Sequence, residues 1–409
     1  MRLNTLLLTV MSVLLAVMLG TQASAQVELK NEKEGKYKLA AENGFDSKKL
    51  TAIGRFMDRQ IDAGKVVGCS GLIFKDNKLV FQENWGLRHR RKELPVEDDT
   101  IWRIYSMTKP ITSVAVMQLV EKGDLELDAN VSKYLPEFKD LQVQNKNGKL
   151  VACRRPMTIR DLLRHTSGLT YGFFGNTPID KAYRNSAILV LDKDLAHTVT
   201  KLSKIPLLHQ PGKRWHYSVS TDVLGRIIEV VSEKSFQQYL QENVFDPLEM
   251  KDTFFSIPED KQKRLAEMYM PVGNELKQSP IIESLRYLND TGFCSGGGGL
   301  CSTMHDYLQF ARMVLNEGEL NGKRLLSKKT IAMMTKNQIP NGAASRSFRF
   351  GLGFAIDKRD CYSWGGAAGT RFWVDPKNEM VTIFMIQIKP DRGQPREKFR
   401  QMVYDALEK

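Results

Sequence analysis

Apolar residues change their spacing four times along the chain. In "FDSKKLTAIGRFMDRQIDAG", Leu50, Ile53, Phe56 or Met57, and Ile61 recur at helical intervals, with Ser47 placed to cap the helix and Gly64 to stop it. "CSGLIFKDNKLVFQENWG" follows as two strands turning at Asp76-Asn77, a hairpin signal. From Thr108 to about Tyr287 the patterns are mainly helical, as in "TIRDLLRHTSGL" and "TDVLGRIIEVVSEKSFQQYLQENVF". Strand signals return in "FGLGFAID", "CYSWGG", "RFWVDP" and "EMVTIFMIQ", before a closing helix in "EKFRQMVYDALEK". This order predicts an α/β (α+β) fold: an antiparallel sheet built from N- and C-terminal segments and flanked by helices, with a mainly helical region, about 110–287, inserted between them. The insert should face the sheet across a cleft. With no internal repeat or low-complexity linker, residues 42–409 read as one domain.

Composition adds few constraints. The 409 residues are 42% hydrophobic, enough for a core without covalent staples. "MRLNTLLLTVMSVLLAVMLGTQASAQ" runs from Arg2 through an apolar stretch to Ala23-Ser24-Ala25, the order of a secretory signal with cleavage after Ala25. An N-terminal membrane anchor is the alternative, although the run is shorter than the ~20 apolar residues a span requires. No cysteine lies near the cleavage point to carry a lipid, and no later stretch could cross a bilayer, so residues 1–25 point to a periplasmic or secreted protein and residues 26–41 to a loose polar leader. Cys69, Cys153, Cys294, Cys301 and Cys361 fit no metal-ligand spacing and are expected to be buried or free, a Cys294–Cys301 bridge being the alternative. The net charge of +13 comes from scattered Lys and Arg without a nucleic-acid-binding module. It excludes little, but favours anionic surfaces or acidic substrates through long-range attraction.

The chemistry starts at "WRIYSMTKPITSVAVMQLVEKGDLEL". Ser106 and Lys109 lie one helical turn apart and so share a face. A serine hydroxyl becomes a nucleophile when a base removes its proton, and a lysine kept neutral by burial or by neighbouring positive charge can be that base. The unpaired N–H groups of a helix start can bind the oxyanion that develops. Serine is equally a favoured helix cap, so the motif taken alone supports both readings.

The surrounding blocks add to that motif. "YSMTKPIT" with "LVEKGDLELDANVSKYLPEF", then "MTIRDLLRHTSGL", "PGKRWHYSVSTDVLGRIIE", "SGGGGLCSTMHDYLQFARMVLN" and "SWGGAAGTRFWVDP" follow in that order. From about Phe45 to Leu407 the chain resembles the serine β-lactamase-like hydrolases, which include class C β-lactamases, D-alanyl-D-alanine peptidases and family VIII carboxylesterases. The resemblance implies a β-lactamase/penicillin-binding transpeptidase-like fold, Ser106 as nucleophile, Lys109 and Tyr217 as its base system, and the backbone N–H groups of Ser106 and Ala367 as the oxyanion hole. Neither a metal nor an organic cofactor is implied.

Two departures from the lactamase pattern point towards the esterases. Val219 stands where class C enzymes keep an asparagine, leaving Ser218 and Asp222 as the nearby polar residues. Trp364-Gly365-Gly366 replaces the usual Lys-Thr-Gly or His-Thr-Gly, offering apolar contact and close backbone approach in place of a cation. Ser218, Asp222, Trp364, Gly365, Gly366 and Arg371 are therefore the candidate substrate-binding residues, with Trp102, Trp215, Phe173 and Phe174 as candidate cleft aromatics. His165 is expected to hold a loop, and the glycine run from Ser295 to Leu300 to form a tight turn near the cleft. The expected activity is cleavage of a carboxylic ester, or an amide, through an acyl-enzyme that could also pass its acyl group to an alcohol. The expected partner is a small ester or peptide-like substrate. The alternatives are a penicillin-recognising β-lactamase or D-Ala-D-Ala carboxypeptidase and, from another class, a catalytically idle envelope-binding protein.

Overall fold

A computed structural model describes residues 37–145, 147–189, 193–280, 282–290, 292–391 and 393–408. The signal-peptide segment and residues 26–36 of the leader lie outside these. Eight antiparallel strands form the main sheet: β1 (Gly68–Lys75), β2 (Lys78–His89), β3 (Leu94–Pro95), β4 (Arg349–Phe350), β5 (Ala355–Ile356), β6 (Tyr362–Gly365), β7 (Arg371–Asp375) and β8 (Met380–Ile386). Their spatial order, β4-β5-β6-β7-β8-β1-β2-β3, joins the two ends of the chain at β8 and β1, in register from Cys69 opposite Ile386 to Lys75 opposite Met380. The β1–β2 turn takes positive φ at Asp76 (49°) and Asn77 (59°), the mirror-image turn whose twist suits a hairpin.

Alternation along the strands serves two apolar layers. Trp373 and Phe384 point into a cluster with Ile53 and Met57 of helix α1 (Ser47–Asp62) and Phe399 of helix α5 (Gln394–Ala406). Phe372 and Ile383 point to the opposite face, against α2 (Thr108–Lys122) and α4 (Met304–Leu315). α2 is buried at every position from Thr108 to Leu119, and α3 (Ser220–Ser232) packs against it. A helix apolar on all sides shows weak amphipathic periodicity but makes a rigid base for the residues at its start.

Local details correct the sequence reading. Asp46, and not Ser47, caps α1: its carboxylate accepts from the N–H groups of Lys48 (2.8 Å) and Lys49 (3.2 Å). The end of the supposed loose leader is ordered, because the helix Lys38–Glu42 buries Ala40 and the Tyr37 ring stacks on Phe81 at 5.7 Å. The inserted region also carries short hairpins, Gln142–Gln144 with Leu150–Ala152 and Tyr269–Val272 with Glu275–Gln278. All five cysteines are free thiols, so there is no Cys294–Cys301 bridge. Among the described residues, no helix is long and apolar enough to cross a membrane.

Candidate active site

Ser106 sits in a single 3₁₀ turn, Tyr105–Met107, that leads into α2. The cap position of α2 falls on Met107 and no side chain caps it, which removes the helix-cap reading of Ser106. Tyr105, just before it, is held at φ 43°, a left-handed conformation that is costly for an aromatic residue and recurs where geometry is fixed for function. The Ser106 hydroxyl oxygen accepts from the Tyr217 hydroxyl at 2.7 Å and from Lys109 Nζ at 3.4 Å.

Lys109 is 1% exposed, and its ammonium is surrounded by acceptors. Besides Ser106, it donates to the Tyr171 hydroxyl at 2.9 Å and to the Gly297 carbonyl, so all three N–H groups of a protonated amine are used. Nζ also stands 4.6 Å from the centroid of the Tyr217 ring and 5.3 Å from that of Tyr171. Tyr171 was missed in the sequence, where its signal was its place directly after the block "TSGLT". Burial, followed by the charge of Asp222 and the proximity of Tyr217, pushes its pKa well above that of an ordinary phenol, so Tyr171 stays protonated.

None of the six candidate substrate-binding residues is among those lining the cleft. Asp222 is wholly buried, and its Oδ1 accepts from Ser295 Oγ (2.5 Å) and the Gly297 N–H (3.0 Å), fixing the glycine turn beside Lys109. Burial raises its pKa against the opposing pull of Lys109. A Cβ on Gly297 would lie 2.5 Å from Asp222 Oδ2 and 2.8 Å from the Tyr171 hydroxyl, so this turn tolerates only glycine there. Ser218, also buried, bonds Ser220 Oγ at 2.7 Å and His165 Nδ1 at 3.3 Å. The His165 ring packs on Tyr217 with centroids 4.9 Å apart, and burial followed by Lys109's charge holds its pKa well below the usual imidazole value. A neutral, enclosed imidazole suits the loop-holding role. Gly365 and Arg371 are register partners on the face opposite Ser106, where Arg371 pairs with Glu397 of α5 at 3.3 Å. Strand alternation thus turns Arg371 away from any substrate.

The other third-motif residues shape the site through packing. Trp364 shares the Phe372 side of the sheet and packs its ring on Tyr217 with centroids 5.4 Å apart. At Gly366 an added Cβ would lie 2.2 Å from Thr370 Oγ1 and 2.5 Å from the Ile104 carbonyl oxygen. This close approach brings the β6–β7 turn against the segment before Ser106 and sets Ala367 in the cleft wall with it. Neither the Ser106 nor the Ala367 N–H donates to a backbone carbonyl among the described residues. Gly366→Ala should therefore displace Ala367 and lower kcat by about 10-fold, because small misplacements of oxyanion donors are costly. Steady-state kinetics beside an unchanged circular dichroism spectrum would check this.

The cleft encloses about 510 Å³. Phe173 and Phe174 form its exposed lip at 70% and 62% exposure, with Phe173 stacked on Tyr171 at 5.8 Å. The other two candidate aromatics do not line it: Trp102 lies in the core, and Trp215 packs edge-on against Phe348 with centroids 4.5 Å apart. No cluster of metal-ligating side chains occurs among the described residues.

A serine, lysine and tyrosine gathered at the start of a buried helix beside an antiparallel sheet define the β-lactamase-fold serine hydrolases. The Beta-lactamase family model matches residues 53–405, and the chain belongs to that family. It is 32% identical over 356 residues to an uncharacterized protein of Mycobacterium tuberculosis, covering 81% of this chain and 88% of that one. It is 28% identical over 377 residues to a Salmonella typhimurium protein named as a D-alanyl-D-alanine carboxypeptidase, covering 84% and 83%. Among solved structures it shares the fold of EstCE1, a hydrolase with promiscuous acyltransferase activity, with a TM-score of 0.76, 24% identity and coverage of 87% and 99%. It also shares that of the simvastatin synthase LovD of Aspergillus terreus, with a TM-score of 0.75, 22% identity and coverage of 87% and 98%.

Proposed function

We propose that this chain is an exported serine hydrolase that cleaves carboxylic esters through an acyl-Ser106 intermediate. The observation that carries the reading is the Ser106 hydroxyl held by both Tyr217 and Lys109. Tyr217, whose oxygen is the nearer of the two to Ser106 Oγ, takes the serine proton with Lys109 beside it as the other half of the base system. Ser106 attacks the ester carbonyl, and the oxyanion is received by the N–H groups of Ser106 and Ala367. Tyr217 passes the proton to the departing alkoxide, then takes one from the water that attacks the acyl carbonyl and returns it to Ser106 Oγ as the acid leaves. An alcohol entering in place of water would complete an acyl transfer. Export rests on the N-terminal sequence.

The penicillin-recognising alternative is favoured by the relative named as a carboxypeptidase. Against it stand Val219, 1% exposed and unable to donate to a side-chain amide, and Trp364 in place of a motif cation. Two missing charge-assisted or amide hydrogen bonds, each worth roughly 10-fold or more, should separate the substrate classes. With one preparation, kcat/KM for p-nitrophenyl butyrate should exceed that for nitrocefin by about 100-fold. Nitrocefin as the better substrate would transfer the assignment to the β-lactamases.

A further inference from the structure

The loop that forms the lip of the cleft is built to hold two aromatic rings open. Arg184, on the helix Pro178–Asn185, donates to the Gly172 carbonyl, to the Gly175 carbonyl at 3.0 Å and to Asn176 Oδ1 at 3.0 Å. At the start of that helix, Asp180 Oδ2 accepts from the Thr177 N–H at 3.0 Å and from its hydroxyl at 2.7 Å. Both ends of the loop 172–177 are thereby tied down. Phenylalanine is among the residues most often buried, yet Phe173 and Phe174, between these anchors, are the most exposed large apolar side chains among the described residues.

The inner faces of the two rings join the aromatics around the nucleophile. Phe173 stacks on Tyr171 with the ring planes 6° apart, and the Phe174 ring centroid stands 6.1 Å from that of Tyr217, itself 5.3 Å from that of Tyr171. Leu189 adds an apolar side chain to the same cavity. An aromatic wall therefore runs from the partner of the Ser106 hydroxyl to the mouth of the cleft. Direction assigns this wall to one half of the substrate. Tyr217 passes its proton to the departing alkoxide, so the alcohol portion of the ester lies on the Tyr217 side of Ser106, the side that Phe174 extends.

We propose that Phe173 and Phe174 form a subsite for an aromatic ring on the alcohol portion of the ester, an inference that rests on the hydrolase reading of the same cleft. The substrate class is then the ester of an aryl or arylalkyl alcohol.

Methyl acetate and benzyl acetate test this, because their alcohols are of nearly equal acidity and the pair differs mainly in the ring. Benzyl acetate should have the higher kcat/KM by about 10-fold or more, the worth of an aromatic contact with partial burial of the ring. The gain should appear mainly as a lower KM, since bound substrate and transition state make the contact alike. Combining Phe173→Ala with Phe174→Ala should bring the ratio close to one with little change in melting temperature, whereas Phe173→Tyr with Phe174→Tyr keeps the ring faces and should retain most of it. Equal kcat/KM for the two esters, or a ratio that the alanine changes leave intact, overturns the subsite and leaves the hydrolase reading standing. Methyl phenylacetate carries its ring on the acyl side. If the alanine changes abolish its advantage over methyl acetate but not that of benzyl acetate, the assignment to the alcohol side is overturned. Binding of benzyl acetate to Ser106→Ala protein, followed by NMR titration, separates the two claims. Binding that the added alanine changes weaken by about 10-fold, without turnover of any ester by the unaltered protein, would keep the ring-binding lip and refute the hydrolase.

Discussion

Ser106→Ala protein is expected to fold normally, to lose ester turnover by about 10⁴-fold or more, and to take up no fluorophosphonate. The substitution removes one oxygen, whose two side-chain partners, Tyr217 and Lys109, remain tied to the site by other contacts. Lys109 keeps the Tyr171 hydroxyl and the Gly297 carbonyl, and the Tyr217 ring keeps its packing on Trp364 and His165. A loss of activity in the folded protein therefore reports chemistry. Substantial turnover by the variant, with an unchanged melting temperature, would show that another group is the nucleophile. It would also reject the idle-protein alternative, which predicts no labelling of the parent chain.

Tyr217→Phe and Lys109→Ala should each lower kcat by about 10²- to 10⁴-fold, the range for losing a positioned general base. Tyr217→Phe deletes the hydroxyl 2.7 Å from Ser106 Oγ while keeping the ring, so KM and stability should barely move. Lys109→Ala removes a cation that also joins α2 to the glycine turn and to Tyr171, and should weaken both kcat and thermal stability. A near-normal kcat in Tyr217→Phe would remove Tyr217 from the mechanism and leave Lys109 as the base.

The parts of this site legible in the sequence are those set by local spacing or by order along the chain. Ser106 and Lys109 share a face because they lie one turn apart, and the sheet built from both termini follows from where the strand patterns fall. Sequence proximity failed where direction mattered. Ser218 and Asp222 neighbour Tyr217 in the chain, yet both side chains turn inward, one to the Ser220–His165 pair and the other to the glycine turn. Arg371 follows the third motif, but strand alternation sends it to Glu397. Tyr171, Arg286 and Lys389 reach the cleft from segments far apart in the chain, and no local pattern marks such a convergence. The buried α2 lacks the polar face by which a helix is usually recognised.

The central claim is a covalent acyl intermediate on Ser106, and mass spectrometry of the rapidly quenched protein addresses it most directly. Mixed with excess p-nitrophenyl butyrate and quenched in acid within the first turnover, the protein should gain the mass of one butyryl group, mapped after digestion to the peptide containing Ser106. The same mass on a peptide without Ser106, or steady turnover through repeated quenches with the adduct confined to another residue, would contradict the account.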